Sequence, residues 1–272
     1  MTHTAIQEGQ PFSAERTTTI ITDFKRDGFV VIPQVLQLDE IAALKQRTDA
    51  FFADPTLAEA GYIQNDFILR HCNELDPLFC ELLVREPIFG LMEAIFGKGF
   101  QQCGMNVLRT NQSNAIDRWH VDDALFFPLP DEVSRHDTRI DMPIFWLTVQ
   151  VALTDIETDA HGPTQYVPGS HYSGRHPPQE QEPQFEGEGA RDILCKAGDI
   201  YLHNSQCWHR GTPNRSERVR YLLQQQYGPR WAFPRYNAYI HYDVPNELLG
   251  EDDERIAQVL GDHRLKPAKR YQ

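Results

Sequence analysis

His120 and Asp122 stand two residues apart in the stretch RWHVDDALFFPLP, and His209 follows much later in CWHRGTPNRSERVR. Two imidazoles and one carboxylate are the donor set that suits non-haem Fe(II), gripping one face of the ion and leaving the opposite face open. On an extended strand, residues two apart point to the same side and can hold one ion together, whereas a helix would need a spacing of three or four. The spacing therefore predicts a β scaffold, with the third ligand brought in from a distant strand.

The elements that would carry these residues are legible around them. From Phe100 the stretches GMNVLRT, PIFWLTVQVALTD, TQYVPGS, DILCK, GDIYLH and VRYLLQQQY are short and rich in β-branched and aromatic residues, with Gly, Pro, Asn and Asp clusters between them. Several such strands without long intervening helices predict a double-sheet barrel. Upstream, Thr17 to Arg26 reads as a helix ending near Asp27-Gly28, followed by the strand-like FVVIP. A second amphipathic helix runs from Leu38 to about Phe52, with Asp39 and Glu40 in its first turn and Leu38, Ile41, Leu44 and Lys45 forming a core-facing stripe. DPLFCELLVREPIFGLMEAIFG reads as two short helices separated at Glu86-Pro87, with Gly97 as the stop. The expected organisation is one domain: a mainly helical part over 1–99, a β core over 100–245 and a C-terminal helix or tail over 246–272. Two stretches interrupt the core, Phe127 to about Met142 and Tyr172 to Arg191, and long loops at the mouth of a site commonly act as lids.

The chain of 272 residues has a formal net charge of −13, which argues against nucleic acid or an anionic membrane as partner and weakly favours neutral or cationic small substrates. Cys72, Cys80, Cys103, Cys195 and Cys207 form no C-x-x-C pair and are odd in number, so they read as reduced, mostly buried thiols. The polar start MTHTAIQEGQPFSAERTTT does not read as a secretory signal, and no apolar run approaches bilayer length. Cytoplasm is the expected location, and the oligomeric state is open.

The ordered combination of these stretches resembles the phytanoyl-CoA dioxygenase (PhyH) family of Fe(II)/2-oxoglutarate-dependent oxygenases. The resemblance runs from DGFVVIPQVLQLDEIAAL through H-x-D at His120 and Asp122 and through GPTQYVPGSH. It ends in H-x-G-x-x-N-x-S-x-x-x-R, matched by His209, Gly211, Asn214, Ser216 and Arg220. It implies a mainly β fold with flanking helices, the double-stranded β-helix or jelly roll of cupin-like proteins. It also implies iron held by His120, Asp122 and His209, with 2-oxoglutarate and O2 as co-substrates, and Arg220 paired with the distal carboxylate of 2-oxoglutarate. A guanidinium is suited to that task, because its planar fork grips a carboxylate in two parallel hydrogen bonds. Arg218 would share a strand face with Arg220, so spacing along a strand leaves both open and the family interval points to Arg220. The implied reaction is hydroxylation or another oxidation of an unactivated C–H bond in a small metabolite, releasing succinate and carbon dioxide. Asp122 fills the position that related halogenases leave small for chloride, which disfavours halogenation. The chain has His161-Gly162 where the family often has Asn-Gly.

The remaining polar and aromatic residues near these motifs carry weaker expectations. Asn106, Thr164 and Gln150, on barrel strands, and Ser216, in the last motif, are candidates for hydrogen bonds to co-substrate or substrate. Phe126, Phe127, Trp231 and Phe233 are candidates for apolar substrate walls. His161, His171 and His203 lie in the β-rich half and read as hydrogen-bonded structural residues rather than ligands. Asp123 and Trp119 should face away from the ion by strand alternation. The same donors would suit zinc, manganese or nickel, so a non-redox metal-binding or sensor jelly roll is the alternative reading. A zinc hydrolase would leave the Arg220 motif without a purpose.

Overall fold

A computed structural model describes residues 9–112, 114–179, 181–231 and 253–261. Helix α1 (Ala14–Asp27) begins where the Ser13 side chain accepts from the Arg16 N–H and ends at Gly28, whose left-handed φ of 83° lets its N–H close on the Phe24 carbonyl. Ile20 and Phe24, four apart, are its buried face. The chain continues directly into β1 (Phe29–Ile32) and then α2 (Leu38–Phe52). The expected stripe on α2 is only partly core: Ile41 and Leu44 are buried, but Leu38, at the first position of the helix, is 78% exposed. Lys45 is half-buried with its ammonium 5.2 Å from the Tyr221 ring. Glu40 takes the inward place instead, because Arg85 meets its two oxygens at 2.7 and 2.8 Å and the Gln37 N–H adds a third bond at 2.6 Å. Buried carboxylates persist when paired in this way.

After α3 (Pro55–Glu59), β2 (Ile63–Gln64) and β3 (Ile68–Arg70) come α4 (Pro77–Glu81) and α5 (Ile88–Phe96), separated around Pro87 and stopped at Gly97 as expected. The strands β4 (Gln101–Thr110), β5 (Ile116–His120), β6 (Leu147–Ala152), β7 (Thr164–Tyr166), β8 (Arg191–Asp192), β9 (Ile200–Asn204), β10 (His209–Gly211) and β11 (Arg220–Gly228) follow, and α6 (Glu254–Val259) lies near the end.

Two antiparallel sheets result, one of seven strands in the order β1-β9-β6-β11-β4-β3-β2 and one of four in the order β5-β10-β7-β8. The stretch 1–99 is therefore not only helical: it contributes both edges of the larger sheet. Strand alternation divides that sheet's chemistry. Met105, Val107, Val149, Leu202 and Leu223 turn to one side and pack with helical residues such as Phe24, Leu44, Phe79 and Ile88 in the main core. Leu108, Ala152, Tyr201 and Leu222 turn to the other side and meet Tyr166 of the smaller sheet. The space between the sheets is where inward polar side chains gather. Among the described residues no helix is long and apolar enough to cross a membrane. All five cysteines are free and buried, and burial pushes the thiols of Cys80, Cys103, Cys195 and Cys207 up to about 12.

The two long interruptions of the core are tied to one another. Arg175 donates to the carbonyls of Pro130 (2.8 Å), Val133 (2.7 Å) and Ser134 (3.3 Å), and the His136 N–H reaches the Tyr172 carbonyl at 2.8 Å. We expect Arg175→Ala to speed amide exchange across 130–136 on the order of tenfold, read by hydrogen-exchange mass spectrometry, while the sheets keep their protection. Gly28 generates a second expectation. A Cβ there would lie 2.5 Å from His171 Nδ1 and 3.0 Å from Cys207 Sγ, on a backbone already left-handed. Gly28→Ala should lower stability by about 2 kcal/mol or more in urea denaturation, from αL strain plus overpacking.

Candidate metal centre

The pairing of β10 with β5 sets His209 directly opposite His120, and β7 places Tyr166 on the other side of His209. β5 ends at His120, so Asp122 lies two residues beyond the regular strand, where its N–H is held by the Ser205 carbonyl at 2.9 Å. Alternation still operates across this end. Trp119 and Val121 turn away and pack with Val167, Phe185 and Trp208, while His120 and Asp122 turn toward His209. One donor atom from each of His120, Asp122 and His209 falls within 4.8 Å of the others. Asp123 points elsewhere and accepts from the Ala124 N–H.

Both histidines are oriented by backbone. His120 Nδ1 lies 2.8 Å from the Arg118 carbonyl and His209 Nδ1 2.9 Å from that of Cys207, so each ring donates through Nδ1 and turns its Nε2 lone pair inward. Asp122 Oδ1 faces these nitrogens, 3.3 Å from His209 Nε2 and 3.7 Å from His120 Nε2. Burial, reinforced by His209, pushes His120 down to about 4. Burial would also lower His209, but the charge and hydrogen bond of Asp122 outweigh it and raise that imidazole. Asp122 is itself held well below the usual carboxylate range, since His209 and His203 overcome the opposing effect of its burial. A divalent metal requires neutral imidazoles and an ionised carboxylate, so His209, whose protonated form Asp122 favours, is the donor at which a proton competes most with the cation.

A cavity of about 120 Å³ adjoins these three residues and is lined also by Phe67, Leu108, Thr110, Gln150, Thr164, Arg220, Leu222, Gln224 and Gln226. Arg220 opens β11, is buried, and spends its Nε on Thr110 Oγ1 at 3.1 Å, while its Nη1 is buried with no hydrogen-bond partner. A buried guanidinium nitrogen lacking a partner is costly unless an anion meets it, so the cavity fits a carboxylate-bearing ligand. Arg218 lies before β11 begins, half-exposed and 3.7 Å from Glu157, so strand alternation never applies to the pair of arginines.

The weaker expectations divide. Thr164 lines the cavity and shares a hydrogen bond of 2.9 Å with the Tyr201 hydroxyl, and Gln150 lines it from β6 of the larger sheet and is buried. Asn106 sits opposite Gln224 in register, but its Oδ1 faces the His71 N–H and it is not part of the cavity lining. Ser216 is corrected. Its hydroxyl bonds Asn214 Oδ1 at 2.7 Å and accepts from the Arg218 N–H, so it stabilises the turn that aims Arg220 rather than reaching the cavity. The aromatic wall is corrected too. Phe126 stacks on Phe145 at 4.0 Å and Phe127 meets the same ring tilted at 5.6 Å, in a second cleft beside His136 and Tyr172, because Gln206 draws the chain away after Ala124. Trp231 is 61% exposed at the edge of Phe145, and Phe233 lies outside the described residues.

His161 and His171 have structural partners, His161 the Glu157 N–H and His171 the Lys25 carbonyl. His203 is different: it is buried with Nε2 2.8 Å from Asp122 Oδ2, so it joins the centre through the carboxylate. Its alternation with Tyr201 in GDIYLH, two polar side chains on one face of an apolar strand, was the available signal. Tyr166 and Thr110 had none beyond strand position.

Fold and site together define a jelly roll that carries a two-histidine, one-carboxylate constellation beside a buried arginine. The chain belongs to the phytanoyl-CoA dioxygenase family, whose pattern matches residues 24–221. It is 27% identical over 175 residues to the ectoine dioxygenase of Stutzerimonas stutzeri (strain A1501), a match covering 60% of this chain and 52% of that one, so it spans about half the length of that curated relative. Among solved structures, HygX from Streptomyces hygroscopicus with nickel, 2-oxoglutarate and hygromycin B bound superposes with a TM-score of 0.61 at 20% identity, covering 80% of this chain and 88% of the other. The epimerase SnoN in complex with Fe3+, alpha ketoglutarate and nogalamycin RO gives 0.60 at 19%, covering 80% and 85%. The carbocyclase SnoK from nogalamycin biosynthesis gives 0.59 at 20%, covering 81% and 87%. These likenesses establish the jelly-roll fold.

Mn(II) binding to the purified chain should weaken as pH falls. The metal must displace the proton that His209 holds above its ordinary value, whereas His120, depressed to about 4, does not compete above about pH 5. Titration calorimetry should show affinity dropping by up to about tenfold per pH unit below the His209 value.

Proposed function

We propose that this protein is an Fe(II)- and 2-oxoglutarate-dependent oxygenase that oxidises an unactivated C–H bond of a small metabolite. One observation carries the reading: two imidazoles and a carboxylate converge on one side of a cavity that also contains a buried guanidinium with an unpartnered nitrogen. His120, Asp122 and His209 would hold the iron, and Arg220, steadied by Thr110, would pair with the distal carboxylate of 2-oxoglutarate. Bound together, iron and the keto acid supply the oxidising equivalent from O2, with succinate and carbon dioxide as products. The chain's own residues orient the donors and keep the cavity small. Thr164 and Tyr201 flank the place where the co-substrate would lie.

The substrate we favour is a polar natural-product-type molecule rather than an acyl-CoA thioester. Gln150, Gln224 and Gln226 present amides to the cavity, and Arg220 is the one Arg or Lys among its described lining residues. The net charge of −13 likewise suits a neutral or amine-bearing molecule better than a polyanion. We further read the chain as one domain with a β core beginning at 100; the expected end of that core at 245 lies outside the described residues. The free buried thiols fit a reducing compartment such as the cytoplasm.

Succinate formation is expected to require Fe(II) and O2 and to fall by on the order of a hundredfold or more in His120→Ala and Asp122→Ala. Formation unchanged in both variants would remove the oxygenase reading. Arg220→Ala should raise the KM for 2-oxoglutarate about 10- to 100-fold, the loss of a charge-assisted hydrogen bond. The same assay run over metabolite extracts identifies the substrate.

A further inference from the structure

The two oxygens of Asp122 have different neighbours. Oδ1 faces His209 and His120, whereas Oδ2 is 2.8 Å from Nε2 of His203. The His203 ring is 1% exposed, and its other nitrogen lies 2.8 Å from the fully buried Tyr166 hydroxyl. A phenol has one proton to donate, so Tyr166 can give it to Nδ1 and leave Nε2 carrying the hydrogen that points at Asp122. The chain Tyr166–His203–Asp122 thereby assigns each proton. Nothing on β5 does this work, since that strand ends at His120. Asp122 is instead held by its N–H to the Ser205 carbonyl and by His203, both at the end of β9.

We propose that His203, backed by Tyr166, is a positioning residue that restricts Asp122 to a single metal-facing oxygen. The proposal rests on the metal-centre reading given above. A six-coordinate divalent ion bound by two imidazoles and one carboxylate oxygen keeps three positions for exogenous ligands, and a carboxylate binding through both oxygens removes one of them. By engaging Oδ2, His203 would keep that position free on an ion held by the three donors. His203 is not a fourth protein ligand on this account, because its Nε2 is engaged by the carboxylate and the converging donors are those of the other three residues.

The test compares the full chain with His203→Gln, which retains a side-chain N–H of similar reach, and with His203→Met and His203→Leu, which do not. Mn(II) affinity is measured by titration calorimetry, 2-oxoglutarate affinity on the Mn(II)-loaded protein, and thermal midpoints in chelator. The Met and Leu variants should bind Mn(II) about 10- to 100-fold more weakly than the native chain, with the Gln variant within about threefold of it. The Mn(II)-loaded Met and Leu proteins should also lose affinity for 2-oxoglutarate, while Gln restores it. Either donor-less variant suffices if the other does not fold. Native Mn(II) affinity in a folded Met or Leu variant, with lowered thermal midpoint alone, would show a merely structural role and overturn the proposal. Equal weakness of Gln, Met and Leu would do the same, as it would make His203 a ligand. If the proposal fails in this way while His120→Ala abolishes Mn(II) binding, the metal centre stands. A native chain that binds no Mn(II) overturns both.

Discussion

A charged carboxylate placed between two sheets has to be surrounded by groups that favour its charge, and the arrangement around Asp122 follows from that need. Desolvation opposes ionisation at this position, yet His209 and His203 prevail. The register of β10 against β5 supplies one of these imidazoles, and the end of β9 supplies the other. The two sheets are thus joined at the centre by electrostatics as well as by the packing of Tyr166 against Phe29 and Tyr201. A shift of one residue in either pairing would turn a histidine to the wrong face.

Arg220 poses the same problem with opposite sign. It is buried among neutral groups, and its pairing with Thr110 meets only part of its hydrogen-bonding capacity. The cavity therefore brings together a cluster of metal-suited donors and an under-satisfied cation. An anionic group is the natural counterpart of that unpaired guanidinium.

Much of this was readable in the residues because the informative signals were local. The stops at Gly28 and Gly97, the acidic first turn of α2 and the apolar spacing marked α1, α2 and α5, and the β-rich stretches after Phe100 became strands except DILCK, of which only Asp192 is in one. H-x-D and the distant H-x-G-x-x-N-x-S-x-x-x-R run carried the site. What escaped depended on three-dimensional neighbours. Leu38 reads as core until Glu40 is seen to have Arg85 as its partner, forty-five residues away in the chain. Ser216 reads as a ligand-facing hydroxyl until Asn214 is seen to occupy it. The aromatic residues after Asp122 have the composition of a substrate wall, but Gln206, in the connection from β9 to β10, holds the Phe126 N–H and the Ala124 carbonyl and sets where they go. His203 read as a rival ligand set aside for a structural role, because its importance lies in one oxygen atom of a residue eighty-one positions earlier.

The five cysteines bear on durability. Oxidation of a cysteine begins at its thiolate, which reacts far faster than the thiol. Cys207 sits two residues from His209, yet its thiol is buried and held protonated up to about 12, as are Cys80, Cys103 and Cys195. Holding Cys207 as a buried thiol lets the protein keep a small, polarisable packing residue beside the metal-binding cluster without presenting a thiolate there.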